Sequence, residues 1–400
     1  MKSRKSWVLI IISMIVFIFL MYLPSSPPNN YISKELYDEV FEQELDWTKQ
    51  VGDVDNRGST YSWGWSYVGN SLIDMYNATG DKKYLQLFVS QAKYIFTQTD
   101  ENLGIESFTN SGLSLPAWSD KGQYESEGEY SYTYPVHTAM ITLPILRFVD
   151  TVKEQKLSEY KIVADEFLLK SGEALAIHNE DAMWLDISND EGFYLGHLYG
   201  EGIVSEANKI GIPNRISMYL AACGLYDKLT GGDTYSHRIK KSLNYFKNSL
   251  LKYDENSDSY YWSYWEESNI ENAWEDISHA TLTIYGLFVL HNEVGYTVFT
   301  DVDFKRFANI IDKIIYNNAS TIKMRKYIHK RNNEEKNFYS MDENQYYYSV
   351  LKWSFLGVYN NEVLVKLENL LNEINSDSLP RTQLVSIATF LYTKEKIKIK

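Results

Sequence analysis

Two stretches, Met75-Tyr-Asn-Ala-Thr-Gly-Asp81 and Leu225-Tyr-Asp-Lys-Leu-Thr-Gly-Gly-Asp233, share one pattern. In both, an apolar segment with helical periodicity ends at Thr-Gly, an aspartate follows, and a tyrosine comes within the next three residues. A glycine after the last periodic residue is typical of a helix C-terminus, and the aspartate favours the start of the next helix. The repeated joint therefore predicts an internal array of helical hairpins.

Outward from these joints, the sequence reads as about twelve helices in pairs. The first helix of a pair is apolar and rich in small residues, as at Ala221, Ala222 and Gly224, whereas the second carries lysines and acids on one face. This contrast indicates an inner helix followed by an outer one. Connections from inner to outer helices are short, but those from outer to inner helices are much longer than is usual. The four long loops are residues 100–133, 180–212, 253–272 and 318–342.

In stacked hairpins, all outer-to-inner loops lie at the same end, so the long loops gather at the N-termini of the inner helices. Residues 184–199 alternate like a β-hairpin. If residues 33–50 pair with residues 381–392, six hairpins close a ring. The predicted fold is an all-α (α/α)6 toroid of helical hairpins, with long loops and short β-hairpins on one face.

The N-terminus predicts a membrane segment ahead of this toroid. Residues 7–23 are uncharged and apolar, about the minimum for a spanning helix, and no Ala-x-Ala cleavage pattern follows them. We interpret residues 1–23 as a signal-anchor, 24–32 as a linker, 33–393 as the toroidal catalytic domain and 394–400 as a charged tail. Lys2, Arg4 and Lys5 favour a cytoplasmic N-terminus, which places the rest outside the cytoplasm, or secreted if the segment is cleaved.

Composition limits the function classes. The net charge of -14 and pI near 5.1 argue against nucleic-acid binding. The one cysteine, Cys223, excludes an intrachain disulfide and a thiolate metal cluster. No His-Glu-x-x-His metal motif, phosphate-binding glycine loop or Gly-x-Ser-x-Gly elbow is present, so we expect no metal and no cofactor. The 33 tyrosines and 10 tryptophans supply flat surfaces that commonly stack on sugars, although aromatic helical cores have the same composition.

On hairpin number, Thr-Gly-Asp joints and loop asymmetry, residues 33–393 resemble the six-hairpin glycosidase and toroidal polysaccharide-lyase superfamily. The resemblance is architectural and selects no single family. It implies a carbohydrate-active enzyme whose cleft lies at the mouth formed by the inner-helix N-termini, and a polysaccharide or oligosaccharide as the partner. Fold analogy alone does not choose the reaction.

The richest mouth sequence is Asn272-Ala-Trp-Glu-Asp-Ile-Ser-His-Ala280. On a helix, Glu275 and His279 are four residues apart and Asp276 and His279 three apart, so all three can converge on one face. Acids also favour a helix N-terminus without any catalytic role, and Asp276 in particular is expected to cap the helix. We predict Glu275 and His279 as catalytic, and Asp276 and Trp274 as substrate-binding.

The other inner helices add candidates in or near their first turns. His137 follows Pro135, which suits a first helical position, and Arg215 opposes the helix dipole, which indicates an acidic partner or an anionic ligand. A dense basic segment, residues 323–331, is usually a solvated hairpin but on the cleft face would suit uronates or sulfated sugars. Further predicted catalytic residues are His137, Tyr134 and Arg215, and further predicted substrate-binding residues are Trp63, Tyr132, Asn214, His197, Arg331 and Tyr347.

Two chemistries fit this set. Hydrolysis needs two carboxylates across the bond, here Glu275 or Asp276 with Glu129 or Asp186. β-Elimination from a uronate needs a base, a group that neutralises the substrate carboxylate and a proton donor, which the histidines, Arg215, Asn214 and a tyrosine supply. We favour cleavage of an acidic polysaccharide, with elimination slightly ahead. Uronate C5-epimerisation needs nearly the same groups, and a non-catalytic envelope glycan-binding protein is the remaining alternative.

Overall fold

The computed structural model describes residues 32–42, 55–106, 113–121, 131–196, 210–264, 274–318, 321–330, 338–339, 347–373 and 380–399. Within these ranges, the side chains at 316–318, 321–322, 347–348, 372–373, 380–383 and 399 are not described.

Six apolar helices form an inner ring. They are α2 (Arg57–Thr60, a π-helical turn Tyr61–Trp65, then Ser66–Thr79), α5 (Pro135–Glu154), α7 (Pro213–Thr230), α9 (Ile277–Val289, ending in a π-helical turn Leu290–Val294), α12 (Tyr347–Leu351, continuing as a 3-10 helix Lys352–Val358) and α14 (Pro380–Ile399).

The helices outside this ring carry more charge. They are α1 (Lys34–Glu42), α3 (Lys83–Thr97), α6 (Lys161–Ala176), α8 (Ser236–Tyr245, ending in a π-helical turn Phe246–Leu250), α10 (Asp301–Ala308) with α11 (Ile310–Ile314), and α13 (Asn361–Glu373). Short additional helices are α4 (Asp100–Leu103) and the 3-10 turns Ser158–Tyr160 and Asp181–Met183.

The inner helices pack in one closed sequence of neighbours. Helix α2 contacts α5, α5 contacts α7, α7 contacts α9, α9 contacts α12, α12 contacts α14, and α14 packs back on α2. Helix α1 packs on α14 and completes the sixth hairpin. The predicted (α/α)6 toroid, including the pairing of the first and last helices, is confirmed.

Contacts between equivalent ends show that the inner helices run in the same direction. Near their starts, the hydroxyl of Thr281 in α9 accepts a hydrogen bond from the indole of Trp353 in α12, at 2.7 Å. Near their ends, Arg147 in α5 pairs with Asp74 in α2 at 2.8 Å and with Glu293 after α9 at 3.3 Å. The N-termini of α2, α5, α9 and α12 therefore open on one face, the mouth, and ion pairs lie at the far end.

Glycines end the inner helices α2 and α7 at the two Thr-Gly joints, residues 75–81 and 225–233. Gly80 and Gly231 both have φ of 71°, in the left-handed region that L side chains rarely adopt. Each donates its backbone N–H to the helix carbonyl four residues earlier. Glycine terminates a helix in this conformation without steric strain, so the joints turn sharply enough to form hairpins.

The four long loops contain two-stranded antiparallel hairpins in their described parts. These are β1 (Asp120–Lys121) with β2 (Ser131–Tyr132), β3 (Trp184–Asp186) with β4 (Gly192–Tyr194), β5 (Lys252–Asp254) with β6 (Ser259–Tyr261), and β7 (Ile315–Asn318) with β8 (Thr321–Met324). The predicted short hairpins on the mouth face are present, and isolated backbone bridges join Asn56 to Asp120 and Asp276 to Tyr327 across neighbouring connections.

One helix boundary differs from the sequence-based expectation, in which the aromatic-rich second helix covers residues 61–78. Helix α2 begins earlier, at Arg57, because Arg57 is buried in an ion pair with Asp100 in the following loop. Among the described residues, no helix combines the length and apolar character needed to cross a bilayer. The predicted membrane segment and its linker up to residue 31 lie outside the described residues.

Candidate active site

The backbone of Glu275 is held between two other segments at the mouth. Its N–H donates to the carbonyl of Trp262 at 3.0 Å, and its carbonyl accepts from the N–H of Ile328 at 3.1 Å. Both bonds have strand geometry, so the residue before α9 is fixed by elements far away in sequence. The start of α9 is therefore positioned by the rim as well as by the helix itself.

The Glu275 side chain is completely buried. Its Oε2 accepts a hydrogen bond from the Trp262 indole at 3.1 Å, while its Oε1 has no hydrogen-bond partner. Burial, together with the nearby charge of Asp276, raises the pKa of Glu275 well above its usual range, against the opposing effects of Trp262 and Asn214. Burial therefore favours the neutral, protonated form of the Glu275 carboxyl group.

Asp276 and His279 form a dyad at the first turn of α9. One Asp276 oxygen caps the helix by accepting from the His279 backbone N–H at 3.0 Å, and the other lies 2.5 Å from His279 Nδ1. A carboxylate at Nδ1 fixes the tautomer that carries hydrogen there and leaves Nε2 able to accept a proton. Glu275 Oε1 lies farther from Nδ1, at 3.8 Å.

The imidazole of His279 is open to the mouth. Its side chain is 40 % exposed, whereas those of Asp276 and Glu275 are 11 % and 0 % exposed. The ring of Tyr264 lies beside it, with centroids 4.8 Å apart. An oriented imidazole backed by a carboxylate and facing solvent is the arrangement of a general base.

The basic segment forms one wall of this mouth. The carbonyl of Lys326 accepts from the N–H of Ile277, Tyr327 makes an antiparallel bridge with Asp276, and the Lys330 carbonyl accepts from the Trp274 indole at 3.2 Å. Lys330 is exposed. The backbone of this segment therefore lies next to the dyad rather than on a remote loop.

Aromatic rings support the same wall. His329 stacks on Tyr261 with centroids 4.2 Å apart and meets the edge of Trp274 at 5.4 Å. Trp274, predicted to bind substrate, is therefore at the rim beside the dyad, and its indole N–H is engaged by the basic segment. The charges of Arg325 and Lys326 lie over the rings of Phe338 and Tyr339.

His137, predicted as catalytic, is placed differently. It is completely buried, and its Nδ1 lies 2.6 Å from the carboxylate of Asp120, which is also completely buried and accepts from the Ser59 backbone N–H at 2.8 Å. The rings of Trp63 and Tyr134 lie 5.6 Å and 5.2 Å from the imidazole. His137 thus joins the starts of α2 and α5, and the geometry does not present it to a substrate.

The remaining predicted residues divide between core, rim and undescribed positions. Tyr132 and Tyr134 are each 2 % exposed and pack on each other, so neither faces the mouth. Asn214 is buried at the start of α7 beside Glu275, and Arg215 is partly buried in the same turn. His197 and Arg331 lie outside the described residues, as does the side chain of Tyr347.

The structure therefore brings together Glu275, Asp276, His279, Trp274 and Asn214, and leaves His137, Tyr132 and Tyr134 in the core. Trp262 and Tyr264 were not predicted as individual site residues. Their position just before the mouth was visible, but their contacts with Glu275 and His279 depend on the strand bridge between Ser263 and Trp274.

The same three residues could also offer ligands to a cation. Within the described part of the chain, Glu275, Asp276 and His279 are the one set of three or more histidine, cysteine or acidic residues whose donor atoms lie within 4.8 Å of one another. The hydrogen bond to Asp276 occupies Nδ1, and Glu275 favours its neutral form. Metal ligands must be deprotonated, so the arrangement as it stands suits proton transfer better than metal binding.

Comparisons with known proteins return structural likeness only. No protein-family model and no curated protein sequence matches the chain. The structure is similar to that of an inactive variant of the α-1,6-mannanase GH76A of Salegentibacter sp. HEL1_6 in complex with α-1,6-mannotetrose, with 13% identity, a TM-score of 0.48 and coverage of 91% of this chain and 98% of that one. It is also similar to a sugar epimerase from a ruminal bacterium, with 13% identity, a TM-score of 0.48 and coverage of 84% and 85%.

The structure of the mannanase itself, rather than of its inactive variant, gives 14% identity and a TM-score of 0.46. Likeness at this level does not extend to substrate or mechanism. The toroid rests on the closed ring of helix contacts in this chain.

Proposed function

We propose that the chain is a carbohydrate-active enzyme that removes the proton next to the carboxylate of a uronate unit in a polysaccharide, with β-elimination as the outcome. The observation that carries the proposal is the exposed imidazole of His279, held at Nδ1 by Asp276 at 2.5 Å. The fixed tautomer leaves Nε2 free to accept a proton from a bound sugar.

In the proposed reaction, Nε2 of His279 takes the proton from C5 of the uronate. The electron pair of that C–H bond becomes the C4–C5 double bond, and the bond from C4 to the glycosidic oxygen breaks. The imidazolium, stabilised by Asp276, then returns its proton to the departing oxygen. One histidine serves both steps where the proton and the leaving oxygen lie on the same face of the sugar.

Glu275 acts as a positioning residue in this scheme. Its side chain is completely buried and accepts a hydrogen bond from Trp262, so it lies behind the dyad and is not exposed to a bound sugar. Burial favours the neutral form of Glu275, and Asp276 is the carboxyl group that contacts Nδ1, at 2.5 Å. A second carboxylate charge at 3.8 Å from Nδ1 would hold the proton on the imidazole more tightly and slow its return to the leaving group.

The basic segment supports an acidic substrate. The net charge of the chain is -14, which repels a polyanion in general, but the backbone of the basic segment, residues 323–331, contacts the residues beside the dyad. Local positive charge in a cleft raises the concentration of an anionic ligand there. We therefore propose uronate polymers as the substrate class.

Elimination is favoured over hydrolysis because the carboxyl groups of Glu275 and Asp276 lie on the same side of the mouth. Paired glycosidase carboxylates lie about 5 to 9.5 Å apart on either side of the bond. Here Glu275 and Asp276 present oxygens within 4.8 Å of each other, on one side of the mouth. Asp186, the predicted second carboxylate, is 65 % exposed and paired with Lys241 of α8 at 2.7 Å. Glu129 lies outside the described residues.

The test is product analysis with the full chain on a panel of uronate polymers. Elimination gives ultraviolet absorbance from an unsaturated uronate, whereas hydrolysis gives reducing ends without it. C5-epimerisation gives neither, but in deuterated water it exchanges the C5 proton. If polymers are bound and none of these changes occurs, the enzyme proposal is wrong and a glycan-binding protein is indicated.

His279→Ala provides the matched variant, and His291→Ala the control. His291 lies at the other end of α9, where it contacts the Tyr296 carbonyl at 2.9 Å and Asp301 at 3.1 Å. It is thus a histidine–aspartate pair on the same inner helix but away from the mouth. We expect His279→Ala to fold and to lose activity by about 100-fold or more, and His291→Ala to retain it. Loss of soluble His279→Ala protein would instead indicate a structural histidine.

The location of this activity is proposed from sequence alone. Residues 7–23 form an apolar run preceded by basic residues, and a protein anchored by it would present residues 33–393 outside the cytoplasm. Protease accessibility of the toroid in intact cells tests this, and protection of the toroid would contradict it.

A further inference from the structure

Lys352 lies in the lumen enclosed by the inner helices. It is the first residue of the 3-10 part of α12, between the fully buried Leu351 and Trp353. Its Nζ lies 3.7 Å from the centre of the Tyr67 ring in α2. Because α14 stands between α2 and α12 in the ring and packs on both, the two side chains meet by pointing inward.

The Lys352 ammonium has no counter-ion. Within the described part of the chain, no carboxylate lies within salt-bridge distance of it and no hydrogen bond engages it. Burial lowers the pKa of Lys352 to about 8. A lysine can reach solvent along an apolar stem, and the side chain is partly exposed. The Tyr67 ring gives only a cation–π contact, so an anion is the group that would complete the site.

Arg147 is a buried cation on an inner helix, and it is fully paired. Arg147, at the far end, is bonded to Asp74 at 2.8 Å, to Asn70 at 3.0 Å and to Glu293 at 3.3 Å. That cation therefore needs no ligand, and its bonds tie α2, α5 and α9 together. Lys352 is in the lumen, nearer the mouth, and lacks such partners. The contrast separates a structural cation from one available to a ligand.

Lys352 is close to the proposed catalytic histidine. Two hydrogen bonds join α12 to Thr281 of α9. The Thr281 hydroxyl donates to the Ser349 carbonyl at 3.3 Å and accepts from the Trp353 indole at 2.7 Å. Thr281 is two residues beyond His279 on α9. Lys352 thus lies on the neighbouring inner helix, about one helical turn deeper than the dyad.

The lumen next to Lys352 also offers aromatic surface. Tyr67 and Trp63 are four residues apart on α2 and so lie on one face of that helix, and both are partly exposed. Aromatic faces pack on sugar rings, and a nearby ammonium binds a carboxylate. The pair of features matches an acidic sugar better than a neutral sugar or a free anion.

We propose that Lys352 binds the carboxylate of a uronate unit seated in the lumen below His279, with Tyr67 and Trp63 packing on the sugar. This inference rests on the proposed function, because it names the group that holds the acidic substrate. Lys352 is assigned as a binding residue, and His279 keeps the proton transfer.

The test is calorimetric binding of an oligogalacturonate and of its carboxyl-reduced, neutral counterpart to the full chain. Lys352→Met removes the charge at similar volume, Lys352→Arg keeps it, and Lys161→Met, on the exposed face of α6, is the control. We expect the unmodified protein to prefer the acidic sugar by about tenfold or more. Lys352→Met should lose that preference, Lys352→Arg should keep most of it, and Lys161→Met should not change it.

Equal binding of the acidic sugar by Lys352→Met and the unmodified protein, or no preference for the acidic sugar at all, overturns the assignment of Lys352. Product analysis tests the proposed reaction, whereas calorimetric binding tests the role of Lys352. If binding depends on Lys352 but no uronate polymer is cleaved or epimerised, the proposed reaction is wrong while the binding site stands. If products form and neither binding nor turnover responds to Lys352→Met, the binding inference alone is wrong. If Lys352→Met does not fold, binding and product formation are both measured with Lys352→Arg instead.

Discussion

Replacing Lys352 with methionine should stabilise the protein at neutral pH. In the folded state no carboxylate of the described residues pairs with the amine, and burial lowers its pKa from 10.5 to about 8. In the unfolded chain the amine is solvated and keeps its ordinary pKa. Removing a desolvated charge therefore removes an energetic cost that only the folded state carries.

The magnitude follows from proton linkage. Each pKa unit is worth about 1.4 kcal/mol, so the difference between 10.5 and about 8 corresponds to about 3 kcal/mol. Because the side chain is partly exposed, solvent screening makes this an upper limit. The cost is complete below pH 8, where both states are protonated. It disappears as the pH rises from 8 to 10.5, because only the unfolded state then binds the proton.

Urea unfolding of both proteins between pH 6 and pH 10.5 checks this. Other lysines and tyrosines also titrate in this range, but they are common to both proteins and cancel when the variant is compared with the unmodified chain at each pH. We expect Lys352→Met to be more stable by up to about 3 kcal/mol at pH 7, with the advantage shrinking above pH 8. An unmodified protein that is equally or more stable at pH 7, or a difference that does not change with pH, would refute the reasoning.

Three further substitutions have defined outcomes. Asp276→Asn keeps an oxygen for the helix cap, so stability should change by less than about 0.5 kcal/mol, but loss of the correct imidazole tautomer should reduce turnover about 100-fold or more. Gly286→Ala places a Cβ 2.5 Å from the Ser217 carbonyl oxygen of α7, and forcing α9 away from α7 should cost about 1 to 3 kcal/mol in urea unfolding. Arg147→Met leaves two buried carboxylates without their partner and should cost about 3 to 5 kcal/mol.

Each of these has a contrary result. Full turnover in Asp276→Asn would show that the carboxylate only caps the helix. Gly232→Ala is the control for Gly286, because its nearest neighbour is the Thr230 hydroxyl at 3.2 Å, and equal effects of the two alanines would remove the close-approach argument. An Arg147→Met protein as stable as the unmodified chain would show that its ion pairs make no net contribution.

The fold could be predicted because its signals are local. The glycine joints and the apolar or charged character of each helix are read within a few residues, and loop length alone places the long loops on one face. The α2 boundary could not be read this way. Arg57 lies in a helix because it is paired with Asp100, more than forty residues along the chain, and no short-range pattern records that pairing.

The candidate site was predictable to the same degree. Glu275, Asp276 and His279 converge because helix periodicity brings them together, as expected from their spacing. Their roles depend on burial, which spacing does not encode: Asp276 orients the imidazole while Glu275 is enclosed. His137 turned to the core because Asp120, in the preceding loop, draws its imidazole inward.

The sequence did not predict that Lys352 is a binding residue. A single lysine in an apolar helix usually carries its amine to solvent along its stem, and nothing within a few residues distinguishes this one. Only the closed ring, in which α14 alone separates α12 from α2, shows that its amine faces inward to Tyr67 and that no described acid pairs with it.

The hydrogen bonds between the basic segment and the start of α9 are made by backbone atoms. The N–H of Ile277 donates to the Lys326 carbonyl and the N–H of Ile328 donates to the Glu275 carbonyl, so exchange of side chains in the basic segment would leave the carboxyl groups in place. A descendant of this protein could therefore gain or lose positive charge along the rim, and with it a preference for more or less acidic glycans, without rebuilding its catalytic dyad. The separation of a variable wall from a fixed reaction centre makes this mouth well suited to evolutionary diversification of specificity.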